Sequence, residues 1–128
     1  MNKCFKAILC ASMSTIPMLS MAQEIDDRWV YITSGASSNV FYDKKTLTKS
    51  MVWIKYETLP SQYSQEKNKR SVIKYYYDCS MKRIGNGGGY KINLAGERFD
   101  IEPSHDGLKE VDPESIGERV LDSICANN

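Results

Sequence analysis

One histidine, four cysteines and no long apolar run stand among the 128 residues, and each shortage closes a class of function. A closed zinc site needs four ligands, usually Cys and His. The lone His105 and the two cysteines that remain after export fall short, so neither a metal nor another cofactor is expected. A Ser-His-Asp triad needs three side chains that converge in space. His105 sits in Pro103-Ser104-His105-Asp106-Gly107, where neighbours in one turn-rich loop cannot converge, and it reads as a solvated loop residue. Carboxylates are numerous, but a small sheet with one helix offers few deep clefts for a paired-carboxylate hydrolase. No catalytic residue is assigned, and the chain is not expected to be an enzyme.

The apolar stretch Ala7 to Met13 is broken by Ser12 and followed by Ser14, Thr15 and Pro17. A membrane-spanning helix needs roughly 20 apolar residues, so no spanning segment is expected. With Lys3 and Lys6 before it and Ser20-Met21-Ala22 after it, the stretch reads as a cleaved export signal over residues 1–22. A single domain then covers 23–128. Hydrophobic residues at 41% and charged ones at 26% place that domain among folding chains rather than disordered ones.

Cleavage removes Cys4 and Cys10 and leaves Cys79 and Cys125. An even pair in an exported chain points to one disulfide, with two buried thiols as the alternative. A bridge closing about 46 residues is worth on the order of 4 kcal/mol in the chain-entropy model. Charge is nearly balanced but segregated: Asp43 to Lys91 holds 11 bases against 4 acids, and Glu97 to Asp122 holds 9 acids against 3 bases. The two fields either cancel by packing together or leave a basic face for an anionic partner.

Most of the chain reads as short strands. Arg28–Thr33 and Val40–Asp43 are aromatic and β-branched runs joined by a Gly- and Ser-rich hairpin connection. Met51–Thr58 alternates Val52, Ile54 and Tyr56 with Trp53, Lys55 and Glu57, which gives one apolar and one mixed face. Leu59–Arg70 reads as a long polar loop, a common place for contacts. In the strand Ser71–Cys79, Ile73, Tyr75 and Tyr77 share the face of Cys79, and Val72, Lys74, Tyr76 and Asp78 face away. Gly85-Asn86-Gly87-Gly88-Gly89 reads as a loose hairpin turn between Lys82–Ile84 and Tyr90–Leu94. It is not a phosphate loop, because no helix follows it. A further short strand is expected over Glu97–Ile101.

The last fifteen residues predict a helix. Asp112 is the expected N-cap, Pro113 suits the first helical position, and Val111 is placed to staple onto Ile116. Ile116, Val120, Leu121, Ile124 and Cys125 form one apolar stripe. The fold class expected is α+β: a small antiparallel sheet of about five to six strands with a C-terminal helix on one face.

Outward Trp53 and Tyr76 interleave with Lys55 and Lys74. That patch suits a protein, glycan or haem-like ligand, against the simpler reading of cross-strand pairing. Near-zero net charge and the export signal argue against nucleic acid, although stacking platforms use similar residues. Lys67, Lys69 and Arg70 add charge from the loop.

The order of these features resembles the bacterial surface-adhesin protein E family. The residues that carry the resemblance are Trp29-Val30-Tyr31-Ile32, Phe41-Tyr42-Asp43 with Thr46-Leu47, Val52-Trp53-Ile54-Lys55-Tyr56, Tyr77-Asp78-Cys79-Ser80, and Pro113-Glu114-Ser115-Ile116 leading to Leu121 and Cys125. The resemblance implies a helix tied to the sheet by Cys79–Cys125. It also implies a periplasmic or cell-surface protein of a Gram-negative bacterium that binds a matrix or envelope protein without catalysis. The expected partner-binding residues are Lys67, Lys69, Arg70, Trp53, Lys55, Lys74 and Tyr76. A periplasmic inhibitor or immunity-type protein acting on a cell-wall hydrolase, and an envelope domain that self-associates as a homodimer, are the rival expectations.

Overall fold

The computed structural model describes residues 27–128, so the expected export signal lies outside the described residues. Strands β1 (Trp29–Ser34), β2 (Ser38–Asp43), β3 (Met51–Thr58), β4 (Asn68–Asp78), β5 (Arg83–Asn93) and β6 (Arg98–Ile101) follow one another in an antiparallel meander. A two-residue strand, β7 (Lys109–Glu110), pairs with the opposite end of β5. The only other regular elements among the described residues are a 3₁₀ turn (Pro60–Gln62), the single-turn helix α1 (Tyr63–Glu66) and the terminal helix α2 (Ile116–Ala126). Sheet therefore dominates, and the α+β description holds only loosely. No helix among the described residues is long and apolar enough to cross a membrane.

Helix α2 touches β1 on one side and β5 on the other, so the sheet curls around it. The alternation expected in β3 holds: Val52 and Ile54 are fully buried under the helix with Val40, Tyr42 and Tyr77. Val120, Leu121 and Ile124 supply the helical half of the core, with Ile116 and Cys125 packed at its margin. Burying side chains of this kind contributes roughly 1.5–3 kcal/mol each. At the base of the core the Tyr77 hydroxyl donates to the Thr48 carbonyl and accepts from Asn128 Nδ2 at 2.6 Å. Cys79 and Cys125 are bonded to each other, with their Cα atoms 5.9 Å apart.

Three local expectations are corrected, and a fourth holds with an addition. The glycine run is no turn: it lies inside β5, where Tyr75 pairs with Asn86 and Ile73 with Gly89, leaving Gly87 and Gly88 opposite Lys74 alone. That is a β-bulge, and Gly88 meets its geometry with a φ of 91°. The polar loop ends earlier than expected, because β4 begins at Asn68 and takes in Lys69 and Arg70. The helix starts at Ile116, capped by Ser115, whose Oγ accepts from the Glu118 N–H at 3.1 Å. Asp112 instead holds the preceding turn through its carbonyl, which accepts from Ser115 Oγ at 2.6 Å. Glu118 also reaches back to the Glu114 N–H at 2.8 Å, so Ser115-Ile116-Gly117-Glu118 works much like a capping box. Finally, Val72 faces away from the helix as expected but is buried, at 4% exposure, by residues of the outer face.

Gly89 is where the β4–β5 ladder is tightest. A Cβ built there would fall 2.1 Å from the Val72 carbonyl oxygen and 2.8 Å from the Ile73 Cα, both backbone atoms that cannot rotate aside. Gly89→Ala is expected to destabilise the domain by about 1–3 kcal/mol, read as a lower midpoint in urea, as forced overpacking generally does. An unchanged midpoint would show that the two strands separate freely there.

Candidate functional site

Residues that point away from α2 form a second, thinner layer on the outer face of the sheet. Strand register places Tyr31, Phe41, Lys55, Val72, Tyr90 and Asp100 in one continuous row across all six strands of the meander. A neighbouring row pairs Trp29 with Asp43 and Trp53 with Lys74. Beyond it Tyr76 lies between Met51 and Gly85.

Cations and rings interleave throughout these rows. Lys55 Nζ stands 4.7 Å from the Trp29 ring centre and 5.0 Å from that of Phe41. Lys74 Nζ bridges Trp53 at 5.9 Å and Tyr76 at 5.4 Å, and the Arg98 guanidinium lies 4.1 Å over Tyr90. Each such contact contributes about 0.5–1 kcal/mol where water has access and holds a long side chain along the surface. Tyr31 meets Phe41 edge to face at 5.8 Å. Gly87 makes room for this layer, since a Cβ there would come within 2.7 Å of the Tyr76 ring and 3.2 Å of Lys74 Cε.

A shallow cleft of about 370 Å³ opens in the layer, lined by Trp29, Trp53, Val72 and Tyr90 and closed at one end by Arg28 and Asp43. Asp43 is fully buried. Arg28 donates to both of its carboxylate oxygens at 2.8 Å, and the Lys45 N–H and Thr46 hydroxyl complete the set at 3.0 and 2.8 Å. Burial alone would raise the Asp43 pKa. The hydrogen bonds from Arg28, Thr46 and Lys45 outweigh it and hold the carboxyl below its ordinary value.

The structure brings together Trp53, Lys55, Lys74 and Tyr76. The loop trio does not assemble. Lys67 is the left-handed cap of α1, and Lys69 falls at the irregularity where the β4–β5 pairing skips from Asn68 to Arg70. Arg70 lies against Glu57 at 3.4 Å, and Glu57 also meets Lys55 at 3.6 Å. The sequence reading missed Trp29, Phe41, Tyr90 and Arg98. Their signal was the period-two alternation of β1, β2 and β5, which stays mute until register sets those strands side by side.

No family model, curated protein or solved structure matches the chain. Among the described residues no group of three or more His, Cys, Asp or Glu side chains is placed to hold a metal.

Proposed function

We propose that this chain is an exported, non-enzymatic binding module of the protein E type that docks a matrix or envelope protein through the outer face of its sheet. The observation that carries the reading is the contrast between the two faces. One is covered in large part by α2, whereas the other spreads cation-capped aromatic rings over five strands, β1 to β5, with no described helix lying over them. Aromatic and Arg-rich patches are where protein interfaces concentrate their binding energy. Arg28, Lys55, Arg70, Lys74 and Arg98 outnumber the carboxylates set beside them, Asp43, Glu57 and Asp100, so this part of the face keeps a cationic bias even with those ion pairs made. The complementary partner surface is acidic with exposed apolar groups.

The test compares the wild type with Trp53→Ala and with Lys74→Glu for binding to immobilised matrix proteins and to envelope extract. Trp53→Ala is expected to weaken capture by about tenfold or more, as loss of an anchor does. Lys74→Glu should slow association most at low salt. Melting curves of both variants control for folding. Unchanged capture by both folded variants overturns the reading. Capture of a single cell-wall hydrolase would reassign the module to the inhibitor class. A concentration-dependent dimer would favour pairing through the outer edge of β1, which has no partner among the described residues.

A further inference from the structure

The inner face is not covered along its whole length. Beyond the first turn of α2, a cleft of about 470 Å³ opens between the 35–38 connection and the sheet, with Val40, Ile84 and Ile116 as apolar walls. Tyr56 on β3 stands opposite Ser71 and Tyr75 on β4 opposite Val52, yet both side chains reach into the same cleft, where their hydroxyls bond to each other at 3.0 Å. Two hydroxyls carry two protons, and a bond between them uses one. Among the described residues nothing accepts the second, and an unused donor in a largely buried place is costly. Burial pushes both tyrosines above their ordinary pKa, so both remain protonated. The lining holds no Asp, Glu, Lys, Arg or His.

We infer that this cleft is a second binding site, separate from the outer face, for an uncharged and largely apolar small molecule with one carbonyl oxygen. The oxygen takes the spare tyrosine proton, and the apolar body fills the space against Val40, Ile84 and Ile116. Two features select the class. The absence of a charged lining residue leaves an ionic ligand without compensation for its lost water. A pure hydrocarbon would leave the second hydroxyl proton unmet. The size fits a single ring system or a short branched chain, within the ordinary range of small-molecule pockets. The site does not depend on the adhesive reading, because none of its lining lies on the outer face.

The probe is prodan, an uncharged naphthalene ketone whose emission shifts to the blue on leaving water, titrated against the protein purified as the cell makes it. Dimethylaminonaphthalene, which lacks the ketone, is the control. Saturable blue-shifted binding of prodan is expected. The double variant Tyr56→Phe/Tyr75→Phe removes both hydroxyls and should fold, since deleting both members of a hydrogen-bonded pair leaves no orphan. It should weaken prodan about fivefold, the worth of one neutral hydrogen bond, and leave the control unchanged. Ala36→Trp, an exposed position on the rim, should block both probes. No saturable binding, binding that survives Ala36→Trp, or equal losses for both probes in the double variant would overturn the proposal.

Discussion

Replacing Cys79 or Cys125 by Ser is expected to lower stability by about 2–5 kcal/mol, the usual cost of losing a native bridge from a small domain. The bridge joins the residue after β4 to the last turn of α2 and closes a separation of 46 residues. Without it the unfolded chain regains the freedom of that loop, worth on the order of 4 kcal/mol in the chain-entropy model. Domains of this size are typically stable by only about 5–15 kcal/mol, so the loss is a large share of the whole. The helix is the element most exposed to it. Its eleven residues bury three large side chains, and an isolated helix that short is marginal in water. The check is thermal and urea melting of each single variant and of the double variant. All three should shift alike, because either substitution removes the same bond. Melting that matches the oxidised wild type would show that the core holds the helix unaided.

Asp43→Ala carries the next largest expected effect, about 2–4 kcal/mol of destabilisation. Removing the carboxylate strands the Lys45 N–H and the Thr46 hydroxyl beside a buried site and deprives Arg28 of its two-pronged acceptor. The Arg28 side chain is 43% exposed, so water recovers part of its charge and the loss stays below that of a fully buried pair. Because the native pKa of Asp43 is depressed, protonation favours the unfolded chain. Its contribution is complete above the ordinary Asp value of about 4 and is lost as pH falls through the lower native value. Wild-type stability should therefore fall as the pH drops below the ordinary Asp range, and Asp43→Asn should flatten that slope. Asp27 and Asp78 are held low as well, through Lys44 and Ser80, but both meet solvent and add little. An acid limb that is identical in wild type and Asp43→Asn would remove Asp43 from the account.

Much of this architecture was legible before any coordinates. Met51–Thr58 shows its period of two plainly, and the observed strand has those same limits. The stripe from Ile116 to Cys125 is likewise what faces the sheet. The misreadings share one cause. Gly85–Gly89 looks like a turn because glycine usually marks one, yet here β4 pairs with Gly85, Asn86 and Gly89 along one side, the Ser104 N–H meets the Asn86 carbonyl on the other, and the missing side chains admit Tyr76 and the β4 backbone. Asp112-Pro113 looks like a helix start because it satisfies the local rule. Ser115 with Glu118 satisfies the same rule three residues later, and Val111 and Ile116 both reach the core from that start. Local chemistry allowed both alternatives, and packing chose between them.

The candidate site divides in the same way. Trp53, Lys55, Lys74 and Tyr76 could be placed on an outer face because alternation within one strand says which way each side chain points. Trp29, Phe41, Tyr90 and Arg98 could not be joined to them, because cross-strand register, and three bulges that change it, are properties of paired strands. The Tyr56–Tyr75 pair was hidden for the same reason, as its members lie 19 residues apart in the chain. By itself, then, this sequence determines strands such as Met51–Thr58, the terminal helix, the face that residues of a regular strand take and the pair of cysteines available for a bridge. These follow from side-chain periodicity and local backbone preference. Only the tertiary structure decided which rings and cations share a row, which glycines are squeezed, and where the helix stops covering the sheet, because each of those depends on contacts between segments far apart in the chain.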